Sequence, residues 1–313
     1  MLLDLAAGQY LVPYLPPIDK YFQRFTQAVV AKLDRPSRTL SALRLRGIFV
    51  TVLLVPAAFY TGTFFNYLTA SQPYVPLAVL VLLIPVVGQK TTLRKVVKAG
   101  RSLSKKSPAG TTDPHVLVRA AGASAALGFA LRLVPRSFWW CLGGFALLLP
   151  YMLIANFVDT AAKRRSGYAE SPFFSSMALL HELSSVLPAA LGALLLALAH
   201  FFLPGTNLWV LRAFNPAKVF FKGATYGPAS RYFPLNVIAV GLNLSMEADI
   251  GEKTAGKKIS DKAVHWIGPK EGRAQLVPAD LKQIWLVTIV ALIFYFLIAA
   301  MVFLLLLRQG GSG

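Results

Sequence analysis

Acidic residues are scarce in this chain. Only 13 of its 313 residues are Asp or Glu, against 32 Lys or Arg, which leaves a formal net charge of +19 at pH 7. Charged residues make up 14% of the chain and hydrophobic residues 56%, which is too apolar for an ordinary soluble domain. Excess positive charge is typical of the cytoplasmic loops of membrane proteins and of surfaces that meet anionic lipids or substrates. Nucleic acid is not an expected partner, because no stretch interleaves aromatic and basic residues as nucleic-acid modules do.

Cysteine and the short catalytic motifs are also missing or nearly so. Cys141 is the only cysteine, which excludes an internal disulfide and a cysteine-based metal site, and its apolar surroundings predict a small buried core residue. The four histidines are scattered without a second ligand at helical spacing, so a zinc site is not expected. The chain has no phosphate-binding glycine loop, no HExxH and no GxSxG. Sequence motifs therefore give no support to the common nucleotide-binding, zinc-protease and serine-hydrolase classes.

Long apolar runs are what the sequence does contain. A helix needs roughly 20 apolar residues to cross a bilayer, because its backbone polar groups find no other partners in lipid. We count four clear or near-clear crossings and two uncertain ones, among the runs at 47–68, 74–87, 116–133, 138–157, 187–203 and 284–307. The run at 116–133 is rich in Ala and Gly, which favours close packing inside a bundle. The sequence thus predicts an all-α fold, a polytopic integral membrane helical bundle in the bacterial inner membrane, with the lipid bilayer as its first partner.

Amphipathic helices are predicted on the membrane surface at 18–34 and 90–105. In the first segment, four apolar residues recur at helical spacing: Phe22, Phe25, Val29 and Leu33. In the second, five lysines and arginines spaced three or four apart share one face, as is typical of a positively charged membrane flank. A second interpretation is that this basic face attracts a phosphate or carboxylate group of a substrate. A further short basic helix is expected at 37–46.

The domain boundaries follow from these segments. Residues 1–46 form an amphipathic interfacial region, and 47–309 a single transmembrane helical domain with long loops at 158–186 and 204–283. In the second loop, the apolar stretch at 233–244 is too short to span and predicts a re-entrant or interfacial helix. The final Gly-Gly-Ser-Gly, at 310–313, resembles the remnant of an expression tag, and no cleavable signal sequence is expected.

The most suggestive polar groups flank apolar segments. Asn156 and Asp159 follow one apolar run, and Glu182 precedes the next. Placing an ionisable group inside a membrane costs free energy unless the group is paired or solvated, so such groups often have a functional role. Structural roles remain open: Asp159 could pair with Lys163 one turn later, and Glu182 could be a solvated residue in the first turn of a helix.

Several of these segments resemble one family. The stretch Asn156–Phe157–Val158–Asp159, followed by Gly167–Tyr168, is similar to that family's NTLDSMVGY motif. The sequence HWIGP, with Trp266 and Gly268, is similar to its WIGD motif, and LDLAAG at 3–8 is similar to its LDxxxGDP. Together with LxxVLPAALGALLLALA from Leu183, these matches resemble the CobD/CbiB cobalamin-biosynthesis membrane proteins, a group that includes AmpE-like proteins. The family's ENTVDG motif has no counterpart, and its paired aspartates correspond to His181–Glu182.

The resemblance implies an enzyme that joins an aminopropanol group to a corrinoid carboxylate as an amide, of the adenosylcobinamide-phosphate synthase type. ATP and Mg²⁺ would assist that reaction, and the Mg²⁺ ligands are not assigned. Its implied catalytic residues are Asp159 and Glu182. Its implied substrate-binding residues are Asn156, Lys163, Arg164, Arg165, Tyr168, Trp266 and Gly268. The alternative is a non-catalytic AmpE-like scaffold, sensor or partner subunit that works with other membrane or cobalamin-pathway proteins.

The two alternatives predict different arrangements of the acidic residues. In an enzyme, at least three acidic residues should lie together in one cavity beside Lys or Arg. The candidates are Asp159, Glu182, Glu247, Asp249 and Asp280. A scaffold should leave them apart. In the catalytic arrangement, Asp159 and Glu182 face one another across the loop at 160–181, with Lys163, Arg164 or Arg165 at its mouth.

Overall fold

The computed structural model describes residues 18–35, 38–71, 114–164, 172–206, 210–211, 228–247 and 266–310, and that part of the chain is mostly helical. The α-helices are α1 (Ile18–Leu33), α2 (Leu40–Ser71), α3 (Pro114–Gly128), α4 (Val134–Gly143), α5 (Phe145–Arg164), α6 (Ser175–His200), α7 (Ala229–Gly241) and α8 (Pro278–Gly310). A π-helical turn (Phe129–Leu133) joins α3 to α4, and a 3₁₀ turn (Pro172–Phe174) precedes α6. Two short strands, β1 (Met246–Glu247) and β2 (Trp266–Ile267), pair antiparallel. The helical class expected from the apolar periodicity is confirmed.

Four helical stretches among the described residues are long and apolar enough to cross a bilayer. They are Leu40–Ser71, His115–Gly143, Pro172–His200 and Pro278–Met301. The most apolar windows of the second and third are 56% buried, whereas those of the first and last are 17% and 28% buried. The Ala- and Gly-rich stretch of α3 is therefore an inner helix, as its composition predicts. In contrast, α2 and the part of α8 up to Met301 expose most of their apolar surface.

The crossing predicted at 138–157 is wrong, because the chain breaks there at Gly144. Gly144 has φ +59°, a backbone conformation that residues other than glycine rarely adopt, and it separates α4 from α5. Asn66 of α2 joins the two helix ends: its Nδ2 donates to Gly143 O at 2.9 Å, and its Oδ1 accepts from Phe145 N at 2.8 Å. One side chain thus satisfies a carbonyl at the end of α4 and an amide at the start of α5.

Other predicted boundaries also change. The helix expected at 37–46 and the crossing at 47–68 are one continuous helix, α2, with Thr39 Oγ1 accepting from Ala42 N at its start. The apolar run at 187–203 is the second half of α6. The segments at 74–87 and 90–105 lie outside the described residues.

The predicted loops are shorter than expected. In place of a loop at 158–186, α5 continues to Arg164 and helical structure resumes at Pro172, because apolar residues there still find a core to pack against. The loop predicted at 204–283 contains α7, which covers most of the apolar stretch at 233–244 and is largely buried rather than laid on a surface.

Contacts group the chain into two compact units. Unit 1 comprises Met1–Lys90, Arg132–Pro188 and Gly251–Lys257, and unit 2 comprises Thr91–Leu131, Ala189–Ile250 and Lys258–Gly313. The expected single domain at 47–309 stays a prediction, because compactness does not say whether either unit folds alone.

Unit 1 is built around α2 and α5. Their backbones approach closely at Gly62, where an added Cβ would lie 2.2 Å from Phe145 O. The amphipathic helix α1 packs on the same core through a stripe centred on Thr26 and Val30, which are both fully buried. The hydroxyl of Thr26 lies 3.1 Å from that of Thr160, so a buried hydrogen bond ties α1 to α5. The helix predicted at 18–34 is thus present, and its position in unit 1 is set by this contact.

Unit 2 places the short strands against α3 and α7. Gly122 of α3 lets Ile284 of α8 approach, and Gly241 of α7 lies against the ring of His200. His200 is fully buried, with Nδ1 hydrogen bonded to Leu196 O at 2.7 Å.

Cys141 belongs to unit 1 and is exposed, so the prediction that it is a buried core residue is wrong. An apolar stretch of sequence does not imply burial when its side chains face outward.

Candidate functional site

Polar side chains of unit 1 gather between α4, α5 and α6. We call this the α4–α5–α6 polar cluster; its members are Arg132, Arg136, Tyr151, Asp159, His181 and Ser185. Tyr151 and Asp159 of α5 are eight residues apart and His181 and Ser185 of α6 are four apart, so each of these pairs lies on one face of its helix. Arg136 belongs to α4, and Arg132 to the π-helical turn just before it. The cluster is therefore assembled from three helix faces that are otherwise apolar.

Tyr151 lies at the centre of the cluster. It is 3% exposed, its hydroxyl lies 3.4 Å from Ser185 Oγ, and its ring stacks on that of His181 with centroids 6.1 Å apart. A buried phenol hydroxyl is a ready hydrogen-bond donor to an anion.

Asp159 and Arg132 form an ion pair at the more open side of the cluster. Arg132 Nη2 donates to Asp159 Oδ2 at 3.4 Å, and the two side chains are 41% and 45% exposed. An ion pair this long and this solvated contributes little stability, so a competing anion could displace the carboxylate at small cost. Arg136, one turn after Arg132, is only 7% exposed and brings a cation into the protein interior.

The residues predicted for the site fall in different places. Asp159 belongs to the cluster and pairs with Arg132, whereas the side chain of Lys163, its expected partner, lies outside the described residues. Glu182 is partly buried in the third turn of α6, so the prediction of a first-turn residue at a loop end is wrong: helix begins earlier, at Ser175. A facing pair of Asp159 and Glu182 stays a prediction. Asn156 is buried, and its Nδ2 donates to Met152 O of its own helix at 2.8 Å.

The predicted cations cannot be placed in the same way. Lys163 and Arg164 belong to the last turn of α5, and their side chains lie outside the described part of the chain. Arg165 and Tyr168 lie outside it altogether. Their roles at the mouth of the predicted loop remain predictions.

Trp266 and Gly268 belong to unit 2 and have structural surroundings. The Arg119 guanidinium carbon lies 4.6 Å from the centroid of Trp266, and Arg119 Nη2 donates to Ala274 O at 2.9 Å. Gly268 has φ +135°, and a Cβ there would lie 2.4 Å from Leu244 O. These contacts hold the β2 segment against α3, and a role in substrate binding stays a prediction.

A second acid, Asp280, is also held by an arginine. In unit 2 its carboxylate accepts from Arg273 and, at 2.7 Å, from Val277 N at the start of α8. The carboxylate thus caps a helix. Within the described residues no three His, Cys, Asp or Glu side chains are placed to hold a metal ion. Asp249 and the side chain of Glu247 lie outside that part of the chain, so the predicted convergence of three acids stays untested.

The sequence reasoning missed Arg136, Tyr151 and Ser185. A signal was present, since an arginine within a long apolar stretch is costly unless it has a partner or a ligand. Partners on α5 and α6 become visible only once these helices pack against α4.

Comparison with family models, with curated proteins and with solved structures finds no match to this chain.

Proposed function

We propose that the chain is a multi-pass protein of the bacterial inner membrane that binds an anionic group of a small molecule at the α4–α5–α6 polar cluster. Membrane embedding is supported by the exposed apolar surface of α2, where Ile48, Phe49 and Val52 are 49%, 66% and 66% exposed. Each large apolar side chain left fully in water forgoes ~1.5–3 kcal/mol, and this patch extends along a helix of 32 residues. A bilayer would cover it.

The observation that carries the binding proposal is the position of Arg136. Arg136 is 7% exposed in α4, which packs against the helix of the buried Tyr151, and a second arginine precedes it by four residues. Guanidinium groups bind carboxylates and phosphates through paired N–H donors, and a low-dielectric setting strengthens that bond. The CobD/CbiB resemblance suggests a corrinoid carboxylate as this anion. The protein would then act as the amide synthase, with Asp159 and Glu182 as catalytic groups and ATP and Mg²⁺ as co-reactants.

One specific observation favours the second candidate, a non-catalytic AmpE-like scaffold, sensor or partner subunit. Asp159 and Asp280 each accept from an arginine of their own unit, Arg132 and Arg273. The buried carboxylate of Asp280 is a poorer ligand for Mg²⁺ than a free one, because the metal must displace both Arg273 and Val277 N. The same anion site would then serve recognition rather than catalysis.

The test is complementation of a bacterial strain blocked at the aminopropanol attachment step. The synthase reading expects growth with the wild-type chain and loss of growth with Asp159→Asn or Glu182→Gln at normal protein abundance. Loss of a catalytic group of this kind removes about 3 kcal/mol of transition-state stabilisation, roughly a hundredfold in rate. If the wild type does not complement, the scaffold reading takes its place.

A binding measurement tests the anion site under either reading. We expect Arg136→Gln to weaken binding of a corrinoid carboxylate to the purified protein by at least tenfold, and Arg136→Lys to restore part of it. Two neighbouring serines give the matched control. Ser185→Ala removes the hydroxyl beside Tyr151, whereas Ser184→Ala removes one that bonds to His181 O of its own helix at 3.1 Å. Equal affinity of all four variants and the wild type would rule out the cluster as the binding site.

A further inference from the structure

An apolar groove of about 830 Å³ runs between α1 and the first half of α2 in unit 1. Its volume is within the ~300–1,000 Å³ of small-molecule sites. Ten of its eleven lining side chains are apolar, and the exception is Arg46. Leu45 and Leu53 on its α2 wall are 70% and 55% exposed, and Phe25 on its α1 wall is 47% exposed. The groove is thus a hydrophobic channel with a single cation in its wall.

Further cations surround the corner where α1 meets α2. Lys32 is exposed three residues after Val29, which lines the groove, so the two share a face of α1. Arg35 and Arg38, in the turn between the helices, are also exposed. The one acid among residues 21–46 is Asp34, which is 5% exposed. The mouth of the groove is therefore strongly positive, while its walls are apolar.

We infer that this groove holds an acyl chain of an anionic phospholipid, whose phosphate lies beside Arg46 and Lys32. The charge at the mouth complements a negative headgroup, and the apolar walls complement a hydrocarbon chain. A zwitterionic lipid offers a phosphate that its own headgroup cation already neutralises, and a soluble anion makes no contact with the apolar walls. The inference rests on the membrane embedding proposed above.

Native mass spectrometry of the full chain tests the inference. The protein is released from nanodiscs of phosphatidylcholine and phosphatidylglycerol at 3:1, with acyl chains of different mass. The expected result is one phosphatidylglycerol retained per chain after the other lipids have dissociated. It should be enriched about twenty-fivefold over the supplied ratio, since each of the two basic residues adds roughly fivefold. Equal retention of the two lipids in proportion to supply overturns the inference.

Two variants separate the headgroup from the chain. Lys32→Gln with Arg46→Gln should return the enrichment to the supplied ratio, whereas the matched control Lys270→Gln with Lys282→Gln, which removes two exposed cations of unit 2, should not. Val52→Trp fills the groove without a change of charge and should also abolish the enrichment. An enrichment that survives Val52→Trp, or that 10 mM inorganic phosphate abolishes, would show a simple anion site and overturn the acyl-chain assignment. A released dimer without bound lipid would assign the groove to a second copy and overturn it too.

The outcome is distinguishable from failure of the proposed function. Incorporation into nanodiscs and resistance to alkaline extraction report on membrane embedding alone. The groove variants leave Arg132, Arg136 and Tyr151 unchanged, so corrinoid binding should stay as in the wild type. Loss of lipid enrichment with intact membrane insertion therefore counts against the groove only.

Discussion

Replacing Asn66 should separate the role of one side chain from the rest of the α2 packing. Its amide bridges the break at Gly144, donating to Gly143 O and accepting from Phe145 N at 2.9 and 2.8 Å. Asn66→Ala leaves both backbone groups without these partners in a part-buried position. A backbone group that loses its partner costs ~1–3 kcal/mol, so the lower half of that range for each gives about 2–4 kcal/mol in the free energy of unfolding.

The assay is thermal unfolding of the purified protein in detergent, followed by far-ultraviolet circular dichroism. At roughly 2 °C per kcal/mol for a chain of this size, Asn66→Ala should lower the midpoint by about 4–8 °C. Asn66→Asp keeps the acceptor for Phe145 N but sets a carboxylate oxygen against Gly143 O, so its loss should be at least as large as that of Asn66→Ala. Thr63→Ala is the matched control, since that exposed hydroxyl bonds to Phe59 O of its own helix at 3.0 Å.

A double variant tests whether the bridge at Gly144 is the cause. An added Cβ at Gly144 would lie 2.5 Å from Asn66 Oδ1, so Gly144→Ala collides with the same side chain, in addition to the strain at φ +59°. The destabilisations of Gly144→Ala and Asn66→Ala should therefore add to more than the double variant loses. Full additivity, or an Asn66→Ala midpoint equal to that of Thr63→Ala, would refute the reasoning.

Two further predictions concern unit 2. Gly241→Ala should lower the midpoint of thermal unfolding by several degrees, because its Cβ would lie 2.1 Å from His200 Nε2. Adding His200→Ala should restore most of that loss, and a double variant that unfolds no higher would contradict the contact. Asp280→Ala should cost about 1–3 kcal/mol in the free energy of unfolding, because it removes the partner of Arg273 and the acceptor for Val277 N. Lys282→Ala, two residues later and exposed, is the control, and an equal effect of both would argue against the cap.

The sequence by itself predicted the features that depend on composition and period. The apolar run at 284–307 lies inside α8, because a continuous stretch of this length forms a helix in apolar surroundings regardless of its neighbours. The Ala- and Gly-rich run at 116–133 is an inner helix for a similarly local reason, since small side chains permit close approach. The periodicity of 18–34 predicted α1, although its buried stripe is centred on Thr26 and Val30 and leaves Phe25 half exposed.

Partners that are distant in the chain decided what the sequence could not. Hydropathy continues across Gly144, and the break there is stabilised by Asn66, a residue 77 positions before Gly143 in the chain. Asp159 forms an ion pair with Arg132, 27 positions earlier, which no local spacing within α5 predicts. Local spacing predicts which groups share a helix face. Which face meets which depends on how helices pack, and that packing is set by contacts such as Gly62 on Phe145 that no local pattern reveals.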